Sequence, residues 1–241
     1  MTFGFDPIGI IRSPFKEKFG IPRQAGLMPE ARATLEILPP FDREEAFRGL
    51  ERFSHVWLIF VFHAVIGRGW RPTVRPPRLG GNRRLGVFAT RSGFRPNPIG
   101  LSAVRLEGIS APPAGRGRLL HLSGVDLLDG TPVLDIKPYL PYADAIPGAG
   151  GGFAAERPAP AMTVEFSPEA AAALSAKEAE VPGLRGFIAA MLGADPRPAV
   201  RAGRSEGRRF GVRVFDIDVH WECREDRVLV TGISEGGKTP P

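Results

Sequence analysis

The chain of 241 residues has a single cysteine, Cys223, so no disulfide can form within it and nothing in its thiol content points to export. It also lacks a long apolar run. The longest strongly apolar stretch, Val56 to Phe62, falls far short of the roughly 20 residues a helix needs to cross a bilayer. The N-terminus carries no signal-like hydrophobic segment, and the expectation is a soluble, cytoplasmic protein with no membrane partner. Histidine is scarce. His55, His63, His121 and His220 have no metal-ligand spacing, and a lone thiol makes no thiolate cluster, so no metal site is predicted. A G-x-S-x-G elbow, a Walker loop and a glycine-rich loop between strand and helix are missing too, which leaves no visible dinucleotide-type route to an adenosyl cofactor.

Lysine is nearly absent as well, confined to Lys16, Lys18, Lys137, Lys177 and Lys238. The 32 basic residues, set against 26 acidic ones, are therefore almost all arginine, and the net charge is +6. Arginine makes bidentate contacts to phosphate and carboxylate and stacks on flat rings, which suits a polyanion such as RNA. A genome rich in arginine codons would give the same composition, and charge alone does not separate the two.

What is present suits a β-rich fold. Hydrophobic residues make up 43% of the chain, and 30 glycines and 25 prolines are spread along it. Short apolar or alternating segments recur at Ile8–Ile11, Ala33–Leu38, Val56–Phe62, Leu85–Thr90, Leu101–Ile109, Leu119–Ser123 and Val133–Ile136, each closely followed by Gly, Pro, Asp or Asn. That punctuation predicts an all-β barrel or sandwich. Asp42-Arg43-Glu44-Glu45 reads as a capping box opening a helix whose face carries Phe47, Leu50 and Phe53. From Ala145 to Pro160 the Gly-, Ala- and Pro-rich composition predicts a flexible linker. Beyond it, Ser167-Pro168-Glu169 supplies a cap, a proline at the first helical position and an acid in the first turn. A second helix is predicted over Gly183–Leu192. Two strands, Phe210–Trp221 and Arg227–Ile233, are expected to pair as a hairpin through Cys223–Asp226, with a β-bulge where the apolar phase changes near Phe215.

Two stretches hold the concentrated chemistry. In Thr90-Arg91-Ser92-Gly93-Phe94-Arg95-Pro96-Asn97-Pro98-Ile99-Gly100-Leu101-Ser102, prolines flank Asn97 and stiffen the backbone around it. Such a loop could hold Arg91 and Arg95 at fixed angles to a carboxylate, a phosphate or a ring edge, or be a rigid turn with solvated arginines. In Gly124–Tyr139, Asp129-Gly130 signals a turn before an alternating strand. Asp126, Asp129, Asp135 and Lys137 are there as site residues, turn formers or surface charges.

Taken in order, Pro22-Arg23-Gln24, Phe53-Ser54-His55-Val56-Trp57, the Thr90–Ser102 loop and Asp126–Tyr139 resemble the TsaA-like, or TrmO, family, and Asp195-Pro196-Arg197-Pro198-Ala199 resembles its C-terminal motif. The resemblance implies a small antiparallel β-barrel (residues 1–146), a linker (147–160) and a smaller α+β domain (161–236) that contacts tRNA. It implies a homodimer that uses S-adenosylmethionine to methylate N6 of threonylcarbamoyladenosine at position 37, in the tRNA anticodon loop. Carried over by motif, cofactor contacts fall at Pro22, Arg23, Gln24, His63, Ala64, Arg91, Leu101, Asp126, Leu127, Leu128 and Asp129. Substrate contacts fall at Arg95, Asn97, Lys137 and Arg197. Asp129 is the candidate general base, with Asp126 or solvent as alternatives. The arginines Arg197, Arg201, Arg204, Arg208, Arg209 and Arg213 form a candidate phosphate-binding set. A non-catalytic RNA-binding barrel and a small-metabolite methyltransferase remain open beside this reading.

Overall fold

A computed structural model describes residues 2–113, 117–158, 162–195, 208–224 and 226–237. Six strands close into an antiparallel barrel in the order β1-β2-β7-β6-β3-β8. They are β1 (Gly9–Arg12), β2 (Arg32–Ile37), β3 (His55–Val61), β6 (Ile99–Ser110), β7 (Leu119–Ser123) and β8 (Pro132–Pro138). Closure is made by Gly9 opposite Val133 and Ile10 opposite Pro132. The period-two pattern read from the sequence is what turns the apolar side chains inward. Val56, Leu58 and Phe60 of β3 face Val104 and Leu106 of β6 and Leu120 and Leu122 of β7 across a closed core. Gly100 is required inside it, because a Cβ there would lie 2.2 Å from the Phe60 ring.

The excursion between β3 and β6 differs from its expected form. The predicted strand Leu85–Thr90 is only a two-residue strand, β5 (Leu85–Gly86), followed by a 3-10 turn at Val87–Ala89. It pairs with β4 (Thr73–Val74) in a small ribbon outside the barrel. The expected capped helix after Asp42 is likewise replaced by two 3-10 turns, Glu44–Phe47 and Leu50–Arg52, with no side-chain cap. Gly49 lies between them at φ 90°, a left-handed step that no continuous helix accommodates.

After β8 come a single helical turn, α1 (Pro141–Asp144), and an exposed stretch interrupted by a 3-10 turn at Gly152–Ala154. The second unit is a four-stranded sheet of order β10-β11-β12-β9, covered by α2 (Pro168–Glu178) and α3 (Leu184–Gly193). Its strands are β9 (Thr163–Phe166), β10 (Arg209–Val214), β11 (Ile217–Arg224) and β12 (Arg227–Glu235). The expected long strand Phe210–Trp221 is thus two strands. Phe215 sits at φ 51° and turns the chain, so the phase change there is a hairpin and not a bulge. The register shift lies instead between His220 and Trp221. The predicted cap at Ser167 is found in place: Ser167 Oγ accepts the Ala170 amide at 3.1 Å at the start of α2. Ser167→Ala should therefore cost about 1 kcal/mol of unfolding free energy, measured by denaturant titration with an unchanged m-value.

The two units are joined through the segment after β1. Phe15 bridges to Val214, the Phe215 amide donates to the Pro14 carbonyl at 2.8 Å, and the Arg213 amide donates to Glu17 Oε1 at 2.7 Å. Phe15 meets the Phe187 ring at 5.7 Å, while Phe19 stacks on Trp221 at 5.7 Å. Each such aromatic pair contributes about 1 kcal/mol beyond its area burial. The stretch that leads into Pro22-Arg23-Gln24 is thereby held by the second sheet.

Candidate active site

A cleft of about 550 Å³ opens at one end of the barrel, within the size range of small-molecule sites. Three separate segments build it. The loop containing Pro22, Arg23 and Gln24 is tied to the turn after β7 by Gly26 N donating to Gly124 O at 2.8 Å and Val125 N to Ala31 O at 3.1 Å. Gly124 makes that turn at φ 70°, with its Cα face against Gly26. The third segment is the Thr90–Ser102 loop, held to the end of β3 by Phe62 N donating to Pro98 O at 2.7 Å. Gly93 is packed against Phe62, where a Cβ would come within 2.8 Å of the ring.

Asp126 is the half-buried carboxylate of the cleft. Its Oδ1 accepts the Ser102 hydroxyl at 2.7 Å, and the Ala25 amide also donates to it. Burial pushes its carboxyl above the usual carboxylate range, against the opposing pull of those hydrogen bonds and of Arg91. Arg91 is exposed and donates through Nη1 to Gln24 Oε1, which links two walls. Burial holds the His63 imidazole below its ordinary pKa, outweighing a hydrogen bond to the Val61 carbonyl, with Lys18 adding repulsion. His63 is therefore a neutral ring near pH 7. Lys18, whose Nζ donates to the Ala64 carbonyl at 3.2 Å, is itself lowered by burial and by Arg68.

The cleft is lined by Pro22, Arg23, Gln24, His63, Ala64, Arg91, Leu101, Asp126, Leu127 and Leu128, all expected cofactor residues. Asp129 is not among the lining residues. Its Oδ1 accepts the Ser13 amide at 2.9 Å and its Oδ2 the Lys16 ammonium at 2.8 Å, while its own amide donates to Phe15 O. It clamps the turn onto the exit of β1, so the structure favours Asp126 over Asp129 as the carboxylate available to a ligand. Arg95 does line the cleft, but its Nη1 donates to the Thr90 and Ser92 carbonyls at 3.0 and 3.2 Å, stiffening its own loop. Asn97 is exposed and lies outside the lining. Lys137, also outside it, pairs with Asp135 at 3.0 Å on β8. Arg197 and the C-terminal motif after Asp195 lie outside the described residues, as do Arg201 and Arg204.

Sequence reasoning missed Lys18, Trp57, Phe94 and Ser102, which also line the cleft. Ser102 had a legible signal, since it shares the inward phase of β6 with Val104 and Leu106. Lys18 had none, because only the return of the chain after β1 brings it beside Ala64. Among the described residues, no three His, Cys, Asp or Glu side chains gather in a way that could hold a metal.

Comparison with known proteins settles the kinship. Residues 10–145 match the family described as the tRNA-methyltransferase O N-terminal domain, and residues 159–236 match the TrmO C-terminal domain. The chain belongs to the tRNA-methyltransferase O family. Within that family it is 50% identical to an Escherichia coli K12 protein named tRNA (adenine(37)-N6)-methyltransferase, over 93% of this chain and 94% of the relative. It is 54% identical to RcsF of Pseudomonas aeruginosa, whose name describes an S-adenosylmethionine-dependent methyltransferase, over 98% of this chain and 100% of the relative. A crystal structure of TrmO from Pseudomonas aeruginosa superposes with a TM-score of 0.79 at 48% identity, covering 97% of this chain and 99% of the other. The barrel with its appended sheet is thus a TrmO fold along almost the whole chain.

Proposed function

We propose that this protein is an S-adenosylmethionine-dependent methyltransferase that modifies N6 of threonylcarbamoyladenosine at position 37 of tRNA. The observation that carries the reading is the cleft shared by the half-buried Asp126 carboxylate and the Arg91–Gln24 pair, within a chain 50% identical to a tRNA (adenine(37)-N6)-methyltransferase. The residues present fit the cofactor's chemistry. Asp126 suits a positively charged sulfonium or ammonium, Arg91 or Arg23 suits its carboxylate, and the exposed Leu101 offers an apolar surface to a ring. When bound, S-adenosylmethionine supplies an electrophilic methyl group with no need of a metal or a covalent intermediate.

The chain's own part is positioning and proton handling. The stiff Thr90–Ser102 loop and the tethered turn at Asp126 fix the walls between which nucleophile and methyl group align, and such alignment lowers a bimolecular barrier by several kcal/mol. N6 of the acylated base has a poor lone pair, so loss of its proton assists attack. On this proposal Asp126, whose carboxyl is pushed by burial above the usual carboxylate range, is the group that accepts that proton. In this reading residues 1–146 form the cofactor domain, 147–160 the linker, and 161–236 a unit that contributes to tRNA contact. Homodimerisation, which the family resemblance implies, and a cytoplasmic setting complete the proposal.

The test is purified protein with S-adenosylmethionine and a threonine tRNA, read by nucleoside mass spectrometry, with calorimetry for cofactor uptake. The expected product is the N6-methylated threonylcarbamoyladenosine. Cofactor uptake without tRNA methylation would favour a small-metabolite enzyme, and absence of uptake would leave an RNA-binding barrel. Within the site, Arg91→Ala should weaken cofactor binding by about 1.5 kcal/mol, roughly tenfold in Kd, the low end for a hydrogen bond to a charged group because Arg91 is exposed. Unchanged affinity in a folded Arg91→Ala protein would remove this residue from the site.

A further inference from the structure

Between β3 and β6 the chain spends residues 62–98 on a long excursion that contains eight arginines and not one aspartate or glutamate. Its centre is the β4–β5 ribbon, which stands outside the barrel and contributes nothing to its closure. Arg71, Arg75, Arg78, Arg83 and Arg84 on and around the ribbon are all exposed. Arg78 reaches only a backbone carbonyl, that of Glu156, and Arg71 lies over the Phe94 ring, its Cζ 4.4 Å from the centroid. Among the described residues none of these five meets a carboxylate. Several arginines elsewhere do meet a carboxylate: Arg12 pairs with Glu36 at 2.8 Å, Arg209 with Glu222 at 3.1 Å, Arg213 with Asp218 at 2.8 Å and Arg227 with Glu165 at 2.9 Å. The excursion also carries two large exposed rings, Trp70 at 55% and Phe88 at 75% of full exposure.

We infer that this arginine ribbon is the surface on which the RNA substrate docks, with its phosphates on Arg75, Arg83 and Arg84 and an unpaired base available to Trp70 or Phe88. The inference rests on the tRNA reading above and adds to it the place of contact. Unpaired guanidinium groups are held for an anion, since clustering them without one costs repulsion. Arginines interleaved with exposed rings are the combination that tracks a single-stranded backbone while stacking its bases. The ribbon is continuous with the cleft through Phe94, under Arg71, and Arg91, both of which line it. A second copy of this chain is a poorer occupant. A two-fold contact would press the same arginines against each other with no acid in the excursion to offset them.

The experiment compares tRNA binding by the full chain and by an Arg75→Ala/Arg83→Ala/Arg84→Ala variant across a salt series. Light scattering reports the oligomeric state, and calorimetry with S-adenosylmethionine confirms an intact cleft. Loss of three phosphate contacts should reduce the slope of log K against log salt by about 2 to 3, with unchanged cofactor affinity and unchanged mass. An Arg12→Ala/Arg105→Ala/Arg118→Ala protein, altered to the same net charge at barrel arginines that already pair with Glu36, Glu107 and Glu44, should keep the wild-type slope. Equal loss in both variants would overturn the ribbon in favour of overall charge. An unaltered slope in the first variant, or a change in its mass, would overturn it as an RNA surface. If the wild-type protein itself neither binds nor methylates tRNA, it is the functional reading that falls.

Discussion

A threonine tRNA carrying threonylcarbamoyladenosine at position 37 is expected to be methylated, while the same tRNA lacking the threonylcarbamoyl group should react about 10- to 100-fold more slowly. The added threonine brings a carboxylate to the base. The cleft mouth offers Arg91, exposed, and Arg95, whose Nη1 alone is engaged by loop carbonyls. A guanidinium has further donors to give, so Arg95 can hold its loop and a ligand together. A guanidinium set to pair that carboxylate loses a charge-assisted hydrogen bond when plain adenosine is offered, and the loss falls on the transition state. The anticodon loop is single-stranded at this position, so the base can be splayed into the cleft at modest unstacking cost. Single-turnover rates on the two tRNA preparations decide the matter. Equal rates would mean that the threonylcarbamoyl group is not read.

Asp126→Asn is expected to weaken S-adenosylmethionine binding by about 3 kcal/mol, on the order of 100-fold in Kd, because it removes the charge while keeping the acceptor for Ser102. The pH dependence carries the sign. Burial raises the folded-state pKa of Asp126 above its ordinary value, so the carboxylate is protonated earlier as pH falls. Affinity for the cation should be full above that raised value and lost as pH drops through it, and the asparagine variant should show neither change. Stability of the ligand-free protein runs the other way. A group whose folded pKa lies above its unfolded one contributes stability below the unfolded value, and this is lost as pH rises through the folded one. The variant should therefore be at least as stable as the parent at neutral pH. Identical calorimetric affinities for parent and variant at pH 8 would show that the Asp126 charge is not used in binding.

Much of the site could be read by residue, and its assembly could not. Leu127 and Leu128 line the cleft beside Asp126, yet Asp129 does not, although Asp126 and Asp129 both look like polar site residues in a turn. What separates them is the partner each meets. Ser102 lies on the inner face of β6 and reaches Asp126, whereas Ser13 and Lys16 follow β1 and capture Asp129. Lys137 and Asp135, two apart on β8, share a strand face and pair as that spacing allows, whereas Arg95 turns back onto the carbonyls of its own loop.

Local pattern was sufficient for the barrel strands and the Ser167 cap, because alternation and capping act over a few residues. It failed at Phe215, where one left-handed residue turned an apparent strand into a hairpin, and at Gly49, where another broke an apparent helix. Only the tertiary structure decided which charges are free. An arginine has the same composition whether it faces Glu36, as Arg12 does, or solvent, as Arg83 does. Pairing depends on which strands close against each other and on which loop stands outside the sheet. Those are long-range contacts set by burying one apolar face in a closed barrel, and no short stretch of sequence contains both partners.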